Sequence, residues 1–250
     1  MTEIYNSQIN FRIPNISFKS TSGVYLNQNL PHRNDNFATN PLYDNFSDAK
    51  KIEAAAKANP KIKEIMTSHN LPIKVNEKEL EKLQHGHLQD TRVIAAKIYS
   101  SLPQELKNEV NMKNLQEAAM LHDYGKILIP DSILNKNAEL TDKEWETMQL
   151  HSELGYELLK DKGLDKHTLE LIKYHHQTPE GNGYPAINSA YTYEIDSQIL
   201  NAADKYSALT EDRSYKSAMS REEALKIIEE DVKKGYISED VYNAVKKATI

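Results

Sequence analysis

From Ser47 onward, apolar residues recur at helical spacing almost without interruption. The first 45 residues do not follow this rule: they hold nine asparagines and keep neither a helical nor a strand period. That pattern predicts a disordered polar tail over residues 1–46, relieved only by a short strand at Ile9 to Ile13. Next comes KKIEAAAKA, a strong helix former that stops before Pro60. Residues 47–75 therefore read as a helical lead-in and linker, and residues 76–250 as the main domain. Two capping boxes mark helix starts there, Thr141 to Glu144 and Ser220 to Glu223, and Gly235 is placed to end the second helix. Gly181-Asn-Gly-Tyr-Pro185 concentrates turn residues and predicts a loop. The fold class is all-α.

The chemistry lies in which polar residues share the apolar faces. In a helix from about Lys78 to Ser100, His87 aligns with Thr91, Ile94 and Ile98 at offsets of four, seven and eleven. Leu115, Ala118 and Ala119 predict an inward position at His122, directly followed by Asp123. Met148 and Leu158 bracket His151. Leu171 leads one face to His175, and Leu169 with Ile172 leads the adjacent face to His176. Leu200 and Ala208 bracket Asp204. Seven buried polar groups would each need a partner or incur a desolvation cost on the order of 1–3 kcal/mol. Metal ions satisfy all of them together, and seven ligands exceed what one ion with an open position takes, so two ions are expected. His32, His69, His85 and His167 fall on the tail, a connection, the opposite helix face and a polar stretch, and read as surface residues.

Composition narrows the partners. The chain has no cysteine, so a metal must sit on imidazole and carboxylate, a donor set for iron, manganese, zinc or nickel. A net charge of −6 gives no overall field for a nucleic-acid polymer. No apolar run is long enough for a membrane, and the opening MTEIYNSQINFRIPN lacks a secretory pattern, so a cytoplasmic location is expected.

These residues also spell a family pattern. His122-Asp123-Tyr-Gly-Lys126 resembles the signature of the HD phosphohydrolase superfamily, and His175-His-Gln-Thr-Pro-Glu-Gly-Asn-Gly-Tyr-Pro185 resembles the motif of its HD-GYP branch. The likeness continues through Ala203-Asp-Lys-Tyr-Ser-Ala-Leu209 and Asp212-Arg-Ser-Tyr-Lys216, and runs from near Leu83 to the end of the chain. It implies an HD-domain helical bundle and a phosphodiesterase that opens a cyclic dinucleotide, cyclic di-GMP first. The implied cofactors are two divalent metal ions, iron or manganese ahead of zinc or nickel. The implied ligands are His87, His122, Asp123, His151, His175, His176 and Asp204, with Asp123 bridging. By the same resemblance Lys126 contacts the scissile phosphate, Arg213 and Lys216 hold substrate phosphate, and Tyr184 shapes the pocket mouth or stacks on a base. Gln177 stands where the family usually has glutamate. Leu83 stands where some members place a glutamate that binds a third metal.

The implied reaction is attack on phosphorus by a hydroxide that two metals activate, releasing a linear dinucleotide. Two alternatives stay open: a nucleotide phosphomonoesterase built on the same core, and a cyclic-nucleotide sensor without turnover. Oligomeric state is likewise open. Deleting residues 1–45 is expected to leave the melting temperature and the phosphodiesterase rate nearly unchanged, because that segment lacks the periodicity of a packed element. A large drop in either measurement would show that the tail belongs to the core.

Overall fold

The computed structural model describes residues 48–85, 87–187, 191–211 and 218–250, without the side chains of residues 84–89. The expected tail and its strand lie outside the described residues, as do Arg213 and Lys216. Twelve α-helices and one 3-10 turn make up the described fold. In order these are α1 (Ala49–Ala58), α2 (Pro60–Ser68), α3 (Glu77–His85), α4 (His87–Ser101), α5 (Gln104–Lys107) and α6 (Met112–Leu121). The 3-10 turn (Tyr124–Leu128) follows, then α7 (Asp131–Leu134), α8 (Asp142–Leu159), α9 (Lys166–Tyr174), α10 (Ile195–Thr210), α11 (Arg221–Lys233) and α12 (Glu239–Ala248). Among the described residues no helix is long and apolar enough to cross a membrane.

Helix ends follow the local chemistry. Both capping boxes form, at Thr141 with Glu144 and at Ser220 with Glu223. Each cap of this kind contributes about 1 kcal/mol. Gly235 closes α11 at φ 74°. Its N–H donates to Val232 and the Tyr236 N–H to Asp231, so two end carbonyls are satisfied. The helix expected from Lys78 to Ser100 is described as α3 and α4, on either side of residue 86, which lies outside the described residues.

The bundle is organised around α4, α6 and α10, which pack on one another, with α9 against α6 and α8. Ile98, Leu115, Ala118, Leu154, Leu171, Ile199 and Leu200 are fully buried there. Each buried leucine or isoleucine contributes about 1.5–3 kcal/mol. The lead-in helices belong to the same hydrophobic cluster through Ile52, Ala56, Ile62, Ile65 and Met66. Asn59, which ends α1 and caps α2, donates its amide N–H to Glu157 on α8 at 3.0 Å. The Lys205 ammonium and the buried Asp231 carboxylate pair to tie α10 to α11.

One close approach fixes the middle of the molecule. A Cβ on Gly125 would lie 2.0 Å from the His151 carbonyl oxygen and 2.5 Å from the Gly155 nitrogen. The 3-10 turn therefore lies directly on the backbone of α8, which brings the residues flanking Gly125 to the level of His151.

His167 departs from its expected surface role. It is partly buried, and its Nε2 pairs with the buried Asp196 carboxylate at 2.5 Å, joining the start of α9 to the start of α10. This bond raises the His167 pKa above its ordinary 6.5, against the opposing pull of burial. A raised folded-state pKa means that the stabilisation is complete below the unfolded value and is lost as pH climbs through the folded one. The wild-type melting temperature should therefore fall by about 2–4 °C across that rise, for a pair worth about 1 kcal/mol. In His167→Gln this step should vanish from a melting series against pH, and a step of unchanged size would assign it to another group.

Candidate metal centre

Four chain segments converge on one buried cluster. His122 caps the end of α6 and Asp123 follows it. His151 comes from the middle of α8, and His175 caps the end of α9. His176 lies one residue beyond that end, in an isolated antiparallel bridge with Tyr184, rather than on the helix as its spacing suggests. Asp204 projects from α10. Six of the seven expected ligands thus meet. The side chain of the seventh, His87, lies outside the described residues.

The donor atoms form two overlapping groups. One comprises Asp123, His151, His175 and His176, the other His122, Asp123 and Asp204, and within each the donor atoms lie within 4.8 Å of one another. Asp123 is common to both. Its Oδ1 is 3.4 Å from His151 Nε2, and its Oδ2 is 3.6 Å from His122 Nε2. Asp204 Oδ1 is 3.3 Å from His122 Nε2.

Hydrogen bonds behind the rings settle which nitrogen faces inward. The Nδ1–H groups of His122, His151 and His175 donate to the carbonyls of Ala119, Met148 and Ile172, each three residues earlier. A carbonyl only accepts, so each Nδ1 must carry the proton and each Nε2 lone pair points to the centre. The consequence is strongest between His151 and His175, whose Nε2 atoms are 3.2 Å apart. Two neutral rings would there oppose lone pair to lone pair, and only a shared proton or a cation makes the arrangement favourable. The imidazole and carboxylate donor set therefore fits divalent metal ions.

The electrostatics agree. Burial pushes His151 down to about 4 and His176 to about 3. Burial and the neighbouring imidazoles hold His175 well below its ordinary value. These rings stay neutral, the form that binds metal. Burial opposes ionisation of Asp123, yet the Lys126 ammonium and the His122 and His151 rings hold its carboxyl well below the usual range. Burial also lowers His122, but the Asp123 and Asp204 carboxylates outweigh it and leave its pKa raised. What stabilises a proton between those carboxylates stabilises a cation equally. Lys126 Nζ lies 2.6 Å from Asp123 Oδ2 at the partly exposed rim.

Tyr184 forms the adjoining wall. Its ring lies 4.6 Å from that of His176 at 33°, and edge-on to Trp145 at 6.2 Å. Burial, with the Asp123 and Asp204 carboxylates, keeps its phenol neutral. Three contributors were not evident from spacing. Trp145 reads as one more apolar residue after a cap, although it is the only tryptophan in the chain. Asn201, three residues before Asp204, donates its amide N–H to the His175 carbonyl at 3.4 Å. Gln177, read as a departure from pattern, is buried and bonded to the Gly-Tyr-Pro loop.

A cluster assembled from four segments exists only in the folded chain, so divalent cations should stabilise it by mass action. At a hundredfold excess over Kd the gain is about 2.7 kcal/mol. Adding manganese to metal-stripped protein should raise the melting temperature. Asp123→Asn should lose most of that rise, while His69→Asn, an exposed position, should keep it. An equal rise in both variants would mean that the ions bind elsewhere.

The comparisons with known proteins agree with this arrangement. The HD domain family matches residues 74–241. The chain is 32% identical over 134 residues to a 3'3'-cGAMP-specific phosphodiesterase of Vibrio cholerae, an overlap of 54% of this chain and 29% of that protein. It is 36% identical over 121 residues to a cyclic di-GMP phosphodiesterase response regulator of Xanthomonas campestris, covering 47% of this chain and 32% of that protein. With a cyclic di-GMP phosphodiesterase of Thermotoga maritima it shares 37% identity over 124 residues, or 49% and 34% of the two chains. The chain thus spans about a third of the length of these curated relatives. With its His122-Asp123 pair, its double histidine and its Gly183-Tyr-Pro185 loop in one buried site, the chain belongs to the HD domain family, in the HD-GYP branch.

Proposed function

We propose that residues 76–250 form a metal-dependent phosphodiesterase that opens a cyclic dinucleotide, cyclic di-GMP first, with residues 47–75 as a lead-in packed against it. The observation that carries this reading is the pair of overlapping donor groups sharing Asp123. That sharing supports two ions with Asp123 as the bridging carboxylate, and His87 as the seventh ligand from the start of α4. The set of nitrogen and oxygen donors favours iron or manganese, ahead of zinc or nickel. The names of the relatives support the substrate class.

When bound, divalent ions supply an acidified water at neutral pH and offset charge on the phosphoryl oxygens. The protein does the rest. The three Nδ1–H bonds to backbone carbonyls hold the imidazoles in one tautomer and orientation, so no reorganisation accompanies the reaction. Lys126, partly exposed beside Asp123, presents its ammonium to the scissile phosphate. Tyr184 and Trp145 wall the site and offer aromatic surface to a base. Arg213 and Lys216, nine and twelve residues beyond Asp204, hold the second phosphate of the substrate.

The test compares substrates of different size. Changing Arg213 and Lys216 together to alanine should leave metal content intact and lower cyclic di-GMP turnover by about 10–1000-fold, if each contact contributes on the order of 1–2 kcal/mol. Hydrolysis of a small activated diester should fall much less. Equal losses on both substrates would assign the two residues to the metal core or the fold. Faster turnover of a nucleotide monoester than of cyclic di-GMP by the wild type would favour the phosphomonoesterase.

A further inference from the structure

Beside the metal-facing groups lies a side chain that hydrogen-bonds to none of them yet holds the wall of the site. Gln177 is 1% exposed and directly follows the double histidine. Its Oε1 accepts the Gly183 N–H at 3.1 Å, and its Nε2 donates to the Pro185 carbonyl at 2.5 Å. Between those two positions the Tyr184 N–H donates to the His176 carbonyl at 3.4 Å. The loop is also drawn close: a Cβ on Gly183 would lie 2.1 Å from the His176 carbonyl oxygen and 2.6 Å from Gln177 Cα. Three consecutive loop residues are thereby fastened to two residues at the end of α9. The Tyr184 ring is delivered onto His176 as a result.

The demands of this clamp are chemically unlike at its two ends. The Gly183 N–H can only donate and the Pro185 carbonyl can only accept. A single side chain serves both only if it carries an acceptor and a donor on one planar group, as a carboxamide or a neutral carboxylic acid does. An ionised carboxylate of the same shape keeps the bond to Gly183 but turns a second oxygen toward the Pro185 carbonyl. A hydrocarbon keeps neither, and leaves two buried backbone groups without a partner.

We propose that Gln177 is a positioning residue. Its carboxamide, through both hydrogen bonds, sets the Gly183–Pro185 loop and so fixes Tyr184 against His176 as the wall on which a nucleobase of the substrate rests. The claim about the loop stands on the geometry alone. Only the claim about the nucleobase rests on the phosphodiesterase reading.

The molecule carries its own reporter, because its only tryptophan, Trp145, lies edge-on to Tyr184. In Gln177→Met, which nearly preserves size but carries neither polar group, Trp145 emission should shift to the red and acrylamide quenching should rise, with bound manganese at the wild-type level. The KM for cyclic di-GMP should increase by roughly 5–50-fold, as expected when buried hydrogen bonds are lost, and kcat should fall less. Gln177→Leu should exaggerate both changes. Wild-type fluorescence in Gln177→Met would overturn the clamp. Loss of manganese in either variant would assign Gln177 to the metal core and overturn the positioning role. Altered fluorescence with an unaltered KM would keep the clamp and remove the nucleobase from it. Fluorescence and metal binding need no substrate, so they decide on the clamp even if the enzymatic reading fails. If Gln177→Leu does not fold, the size-matched methionine variant decides alone.

Discussion

A histidine ring buried at a helix end or on a helix face has two nitrogens to satisfy, and here the helix itself takes one of them. The Nδ1–H of His122, His151 and His175 each goes to a carbonyl one turn back, on the same stretch of chain. That repeated local bond turns three Nε2 lone pairs toward a common point and forbids their retreat into the other tautomer. Everything else in the bundle serves to bring those three points, two carboxylates and His176 within reach of one another. The price is an assembly of basic lone pairs that repel unless something positive lies among them. The buried Asp123 carboxylate, held ionised by Lys126 and the rings, supplies only part of the compensation.

Most of the fold was legible because it rests on local rules. Apolar spacing marked the helices, the two capping boxes formed at the residues that name them, and Gly235 closed its helix with a positive φ. The inward faces were legible for the same reason, since His151 and Asp204 lie on long regular helices. Periodicity failed where the chain leaves the helix. His176 reaches the cluster from beyond the end of α9, so its apparent helical register was coincidental and its position depends on the Gly-Tyr-Pro loop.

The remaining misses are pairwise and non-local. His167 looks like a surface residue because Asp165, Lys166 and Glu170 around it make a polar stretch. Its partner Asp196 lies 29 residues away. Gln177 reads as a lapse from the usual glutamate until the loop it holds is seen folded back upon it. Trp145 belongs to the site only because Tyr184 reaches across to it. No period or motif in a single sequence encodes such meetings, since each depends on where two separate segments come to rest.

The contact between the 3-10 turn and α8 carries a consequence for how this protein can vary. At most positions in a packed core, a side chain that grows too large can be accommodated by a neighbour that shrinks. At Gly125 the atoms in the way are the His151 carbonyl and the Gly155 amide nitrogen, both main chain. No substitution elsewhere removes a main-chain atom, so a lineage that loses this glycine has no compensating mutation within easy reach. Relief would require α8 to slide, and α8 carries His151. The position is therefore closed to the gradual, paired exchange by which cores drift, for a reason that concerns geometry and not the chemistry of any ligand.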